Sequence, residues 1–484
     1  MKDFRVLSLL AATLALTTSC TVGPDYRPPA VDTPADWAET SAVGNQDRSA
    51  ASTERLARWW SSFADPTLDN LVGEAIANNH DVRIAAQRVI EARADRTIAA
   101  AGGEPTLSAT ASAQRSRQST AMTLSPLGGV ANSFAAGFDA SWEVDLFGKT
   151  RRSVEAADAT VEAAIWNRRA VLVSLLGELG TDYTALRAAQ ERIAIAERTI
   201  AADQDALDLA QQKFDHGLGT ELDTAQARAE LEQVKASLPQ LETQVAQNAH
   251  ALAVLLGKQP GTLLASLQVP AAMPLAPPTL PVTIPSELLR NRPDIRQSER
   301  SLAAANAEIG VAVANLFPSF TISPSLGLDA GKLNKLLTGS GVTWGVGASL
   351  GQPIYNGGAL DAAVDKATAV TEQDRLTYEQ TVLKAFAEVE DALVALGNER
   401  QRHDRLGRTV DANRVALQRA TELYRAGLSP FINVVNSEKN LFGAEDSLAQ
   451  SDQTLTQQTV ALYKALGGGW QESADDGMEK TTTR

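Results

Sequence analysis

The chain has 484 residues, enough for two or three ordinary domains, yet only 5% are aromatic and alanine is abundant, a balance that favours long helices over a compact globular core. A net charge of -14 with no basic stripe argues against a nucleic-acid partner. Cys20 is the single cysteine, so an intrachain disulfide and a cysteine-built zinc site are both excluded.

Lys2 and Arg5 precede an apolar run from Val6 to Leu16, too short to cross a bilayer as a helix and suited to the core of an export signal, so residues 1–19 read as a signal peptide. Thr18 and Ser19 before Cys20 match a bacterial lipobox, which implies cleavage before Cys20 and a covalent lipid on it, although Thr17 stands where an aliphatic residue is usual. Thr21, rather than aspartate, follows and favours the outer membrane. Residues 20–64, with Pro24, Pro28, Pro29 and Pro34, read as a lipid-anchored extended tether.

Asp65-Pro66 is a cap followed by a first-turn proline, which predicts a helix continuing to Ala101. Four segments then alternate apolar and polar residues: Leu107 to Gln114, Ser133 to Val144, Phe320 to Leu328 and Val342 to Leu350. Period two defines strands with one apolar face, each about 10 residues long, the length that crosses a bilayer when tilted. After Gly148 the period changes: Ile165, Leu172, Leu179, Leu186, Ile193, Ile200, Leu207 and Phe214 recur every seventh residue. That heptad predicts a supercoiled helix over 150–213, roughly 95 Å long at 1.5 Å per residue. Gly217 and Gly219 supply a turn, and a second helix is predicted over Glu221 to Leu256.

Residues 258–284 form a Pro-rich connector, after which the pattern recurs. Asp81-Val82-Arg83 returns as Asp294-Ile295-Arg296, Pro105 as Pro318, Leu146-Phe147 as Ile354-Tyr355, Gly217-Leu218 as Gly427-Leu428 and Leu256-Gly257 as Leu466-Gly467. The chain is an internal duplication, with repeats at 65–257 and 285–467 and a polar, disordered tail over 468–484. The second heptad, Val382, Val389, Leu396, Val410, Leu417 and Tyr424, is interrupted by His403. Four strands leave two open edges, which lipid does not tolerate, so several chains must close the sheet; three would make a 12-stranded barrel.

Cys20 to Tyr26, Trp59-Trp60, Trp142-Glu-Val-Asp-Leu-Phe-Gly148, Arg292-Pro-Asp-Ile-Arg296, Phe317-Pro318, Pro353-Ile-Tyr-Asn-Gly-Gly358 and Ala465 to Trp470 together resemble the TolC-like outer-membrane factors of tripartite efflux systems, in their lipoprotein branch. The resemblance covers nearly the whole chain. It implies a mainly α protein with a transmembrane β-barrel, a homotrimer whose 12-stranded barrel is continuous with a 12-helix α-barrel. Its implied partners are outer-membrane lipid, a periplasmic adaptor and an inner-membrane transporter of the resistance-nodulation-division type. The helical turns at Gly217, Leu218 and Gly219 and at Gly427, Leu428 and Ser429, at the helix ends farthest from the strands, are the expected adaptor-docking sites; the resemblance also implies a periplasmic gate at Asn433 and Asn436, where similar proteins carry aspartates. Asp223, one repeat earlier, is the acidic candidate at the position matching Asn433.

Chemistry is absent from the pattern. Gly148-Lys149-Thr150 lacks the first glycine of a phosphate loop, the four histidines are dispersed, and the four methionines make no soft-metal path. The reading is therefore a passive exit duct, not an enzyme, with no metal and no cofactor beyond lipid at Cys20. A lipid-anchored periplasmic coiled-coil scaffold, with the strands in a soluble sheet, is the alternative.

Overall fold

The computed structural model describes residues 21–38, 46–47, 55–117, 130–277, 280–281 and 285–471. Its principal elements are α1 (Pro66–Asn78), α2 (His80–Ala101), β1 (Thr106–Arg117), β2 (Val130–Val144), α3 (Lys149–Asp215), α4 (Glu221–Lys235), α5 (Leu238–Leu255), α6 (Pro285–Asn291), α7 (Pro293–Ala314), β3 (Ser319–Ala330), β4 (Val342–Gly351), α8 (Ala359–Arg425) and α9 (Ile432–Ala465). The chain forms two units. One takes in residues 1–30, 88–165 and 297–379, and the other residues 31–87, 166–296 and 380–484.

The first unit holds the strands, which make one antiparallel sheet in the order β1-β2-β3-β4. Pro324, lacking an N–H, interrupts the β2–β3 ladder opposite Ala140 and Ser141, but the register is the same on either side, Asp139↔Ser325 and Trp142↔Ile322. The first described residues of the extended tether, Val22 to Tyr26, dock here. Val22 donates its N–H to the Phe147 carbonyl at 3.1 Å. Arg152, buried at the start of α3, donates to the carbonyls of Val22 and Gly23 and to Asp25, and the Tyr26 hydroxyl donates to Glu299 at 2.7 Å. An extended proline-rich segment has its carbonyls free for such bonds, which its composition does not reveal.

The second unit is helical. Asp65 caps α1, its carboxylate accepting from the N–H groups of Thr67 and Leu68, but the helix does not run to Ala101. Asn79 turns out of it with ψ 132°. Its side-chain oxygen Oδ1 accepts from the N–H groups of Asp81 and Val82, restarting the chain as α2, while its side-chain amide nitrogen donates to the Leu255 carbonyl at 2.9 Å. Arg292, between α6 and α7, makes the matching long-range bond, donating to the Ala465 carbonyl at 3.0 Å and also to Asp294 and Glu388. The predicted helix over Glu221 to Leu256 is likewise split, because Pro239 in the first turn of α5 cannot continue the hydrogen-bond ladder of α4. Its counterpart α9 has no proline and runs unbroken.

Leu172, Leu179, Leu186, Val382, Val389 and Leu396 of the two heptads are buried. His403, at the irregular position, is half-buried and pairs with Asp452 at 2.7 Å. The polar tail starts later than position 468: Trp470 packs edge-on against Trp166 and donates its indole N–H to the Asn291 carbonyl. An indole needs a dry surface and one acceptor, and both are met here.

Equivalent turns confirm the duplication residue by residue. Gly217 and Gly427 both have positive φ (74° and 76°), and the following leucines bond back to the carbonyls of Lys213 and Leu423, the same helix-ending motif twice. Gly148 and Gly358, 210 residues apart, each precede a 67-residue helix. Leu146-Phe147 and Ile354-Tyr355 are therefore two residues out of step. Phe147 stacks on Phe317, whereas Ile354 and Tyr355 are each 91% exposed.

Candidate functional site

The sheet register sorts its side chains into two faces. Leu107 lies opposite Ala140, Ala109 opposite Phe138, Ala111 opposite Ala136 and Ala113 opposite Phe134; the same face continues through Phe138↔Leu326 and Trp142↔Ile322, then Leu326↔Trp344 and Phe320↔Leu350. It is apolar throughout until Arg115 and Asn132, which pair at its far end. The opposite face carries Ser108, Thr110, Asp139, Thr321, Ser325 and Ser349, with Gly137 directly across from Gly327. There Thr110 donates to Asp139 at 2.9 Å.

The apolar face is bare in the single chain. Trp344 is 78% exposed, Val346 71% and Leu350 68%. Each large apolar side chain left in water forgoes roughly 1.5–3 kcal/mol, so a face of this extent is out of place in an aqueous sheet. Trp142 is less exposed than Trp344 and donates its indole N–H to the Gly103 carbonyl at 2.8 Å. Among the described residues strands β1 and β4 each have a single neighbour, leaving both edges of the sheet with unpaired backbone groups. Among the described residues no helix is long and apolar enough to cross a membrane.

The other sequence-predicted residues fall at the helical turns. Leu218 and Leu428 are 77% and 76% exposed, and a side chain at Gly217 or Gly427 would meet open space, so their positive φ rather than crowding selects glycine. Gly219, by contrast, lies against the backbone of Phe214. Asn433 and Asn436 are exposed on one face of α9, and the Asn433 amide donates to the Ser429 hydroxyl at 2.8 Å. Asp223 is occupied in a capping box with Thr220, each side chain bonded to the other's N–H. That bond satisfies a helix-end donor, a structural role. Cys20 and the predicted signal peptide lie outside the described residues. Among the described residues no group of three or more His, Cys, Asp or Glu side chains is placed to hold a metal ion. The bonds of Asn79, Arg152 and Arg292 escaped sequence reading, because nothing local distinguishes them from other polar helix-end residues.

A family model described as outer membrane efflux protein matches residues 71–258 and 284–468, once for each repeat. The chain belongs to the outer membrane efflux protein family. Its relatives include the solvent efflux pump outer membrane protein SrpC of Pseudomonas putida, 33% identical over 97% of this chain and 99% of that protein. Nodulation protein T of Rhizobium leguminosarum bv. viciae is 33% identical over 97% of this chain and 94% of its own length. The solved structure of the outer-membrane channel OprN is 38% identical, with a TM-score of 0.87 over 93% of this chain and all of that one. The family is one of efflux channels rather than enzymes.

The two faces of this efflux protein's sheet make opposite demands on a charge. Phe138→Arg should abolish stable outer-membrane assembly, since arginine on a lipid-facing strand costs about 2–4 kcal/mol near the midplane. Ser325→Arg, on the polar face, should assemble. Heat-modifiable migration of membrane-extracted protein reads both, and equal assembly of the two variants would contradict the face assignment.

Proposed function

We propose that this chain is the exit duct of a tripartite efflux system: a passive channel in the outer membrane, built from three copies, that carries small molecules delivered by a periplasmic adaptor and an inner-membrane transporter. The observation that carries it is the sheet, apolar and bare on one face, polar on the other and unpaired at both edges, in a member of an efflux-channel family. A soluble scaffold has no use for that face. Three four-stranded sheets would close a 12-stranded barrel, within the range of such barrels.

The duplication supplies the register of the closing seam. Strands β2 and β3 join the two repeats at Phe138↔Leu326. Gly148 and Gly358 set a 210-residue offset for β2 and β4, and the starts of β1 and β3, Thr106 and Ser319, set one of 213. Applied to that pair, the offsets place Ala348 of one copy opposite Ala113 of the next, both on the apolar face. Ala113→Cys combined with Ala348→Cys should therefore oxidise to disulfide-linked trimers on denaturing gels, while either single variant stays monomeric. Absence of any inter-chain product would contradict the seam.

In this reading Cys20 carries lipid that tethers the chain beside its barrel, and the turns at Gly217-Leu218-Gly219 and Gly427-Leu428-Ser429 receive the adaptor through their exposed leucines. Asn433 and Asn436, repeated by three-fold symmetry, ring the periplasmic gate with amides, and Asp223 serves α4 as its cap. Solvent efflux and nodulation relatives are equally similar to this chain, so its substrate class rests with the transporter. Photo-crosslinking residues at 218 and 428 should capture one periplasmic adaptor in intact cells, and the mass of the purified chain should begin at an acylated Cys20. No adduct at either turn would remove the docking assignment, and an unacylated N-terminus would remove the anchor.

A further inference from the structure

Close to the two turns, α3, α4, α8 and α9 share a small core of Ala206, Ala210, Ala227, Tyr424, Phe431, Val434 and Val435. Its side chains are mostly small, so the helices approach closely. Three carboxyl groups extend the buried faces by one helical turn. Asp203 lies three residues before Ala206, Glu230 three after Ala227 and Glu438 four after Val434, spacings that put each acid on the same side of its helix as the core residue.

Asp203 is 2% exposed, and neither carboxylate oxygen has a hydrogen-bond partner. A carboxylate in that position has lost water and gained nothing. The charges acting on it and on Glu438 come from α3 and α4 and are all carboxylates: Glu230 acts on Asp203, and both of these act on Glu438. From α8 the group facing this core is Tyr424, whose buried hydroxyl is unpartnered. The nearby cation Lys213 donates to the Tyr424 carbonyl at 2.6 Å, while Lys439 and Arg228 are exposed. The three acids are not arranged to chelate a metal.

The second repeat shows that these positions do not require acids. Counting 210 residues on, Asn413 replaces Asp203 and Asn440 replaces Glu230, and the Asn413 amide donates to the Asn440 carbonyl at 3.2 Å. A neutral side chain thus joins the equivalent helices with an ordinary hydrogen bond. The first repeat has acids at both positions, and no hydrogen bond to Asp203.

We propose that Asp203 and Glu438, packed beside Glu230, form a proton-held latch behind the gate helix: protonated, the two allow α9 to pack against α3 and α4, and ionised, they push it away. Glu438 faces inward from the same stretch of α9 that carries Asn433 and Asn436 on its exposed side, so displacement at the acid face moves the amides. This inference rests on the gate reading above. Burial, with the neighbouring carboxylates adding to it, raises Asp203 to about 6 and Glu438 to about 8. An acid whose folded value lies above its unfolded value favours the packed state at low pH, and that contribution is lost as pH rises through the folded values. The latch accordingly holds in mild acid and loosens between about pH 6 and 8.

Planar-bilayer conductance of the full-length wild type should rise as the periplasmic-side buffer goes from pH 5.5 to 8.5, and the double variant Asp203→Asn, Glu438→Gln should lose that dependence and stay at the low-pH level. Hydrogen exchange of residues 432–440, corrected for intrinsic rate, should rise over the same interval in wild type alone, a readout that works even if a variant conducts poorly. A pH-independent wild type, or a double variant with the wild-type profile, would overturn the latch. So would suppression of the loosening by millimolar magnesium, which would make the ligand a cation rather than a proton. In the same recordings Asn436→Asp should add block by divalent cations. Failure of that variant alone would remove the gate placement and leave the latch standing on the exchange data.

Discussion

Backbone pairing is the constraint on which everything else here depends. A strand in hydrocarbon cannot leave an N–H or C=O without a partner, because no water is there to take its place and each orphan costs several kcal/mol. One copy of this chain pairs the inner edges of its four strands and leaves the outer edges of β1 and β4 open. The apolar face forbids water, and the edges forbid lipid unless another copy closes them. The two conditions together are what the proposed assembly of several copies would satisfy.

The helical unit solves the same accounting problem within one chain. Where α1 gives way to α2, Asn79 supplies acceptors to the new helix and a donor to the end of α5. Where α6 gives way to α7, Arg292 reaches the end of α9 and is held by Asp294 and Glu388. The two side chains differ in charge and length but bond to carbonyls 210 residues apart, Leu255 and Ala465. Duplication has preserved the need for a donor at that place while the residue meeting it has changed. Asp203 and Asn413 make the same comparison at the turns, with a larger consequence, since there one side chain titrates and the other does not.

Much of this was legible in the sequence, and what was not has physical causes. Period two and period seven are global patterns, so the strands and the heptad helices could be read with their faces, and Leu172, Leu179 and Leu186 are buried as the heptad requires. The break at Asn79 depends on a bond to a residue far along the chain, which no local pattern contains. Pro239 was visible but lay inside a strong helical period. The Leu146-Phe147 and Ile354-Tyr355 match was misleading because it aligned side-chain types, whereas the positive-φ glycines align the backbone two residues away. At the turns Gly217 and Gly427 were legible because positive φ selects glycine. Asp203 was not, because an aspartate among Gln204, Asp205 and Asp208 looks like part of a solvated face until the packing of three helices buries it.

The central claim is that alternate residues along the sheet see lipid and water. Spin labels placed singly from 343 to 350 in protein reconstituted into liposomes test it directly, through relaxation by oxygen, which partitions into lipid, and by a water-soluble nickel chelate. Labels at 344, 346, 348 and 350 are expected to be oxygen-accessible, and those at 343, 345, 347 and 349 nickel-accessible, in strict alternation. Uniform accessibility to nickel on both sets would place the sheet in water and contradict the channel.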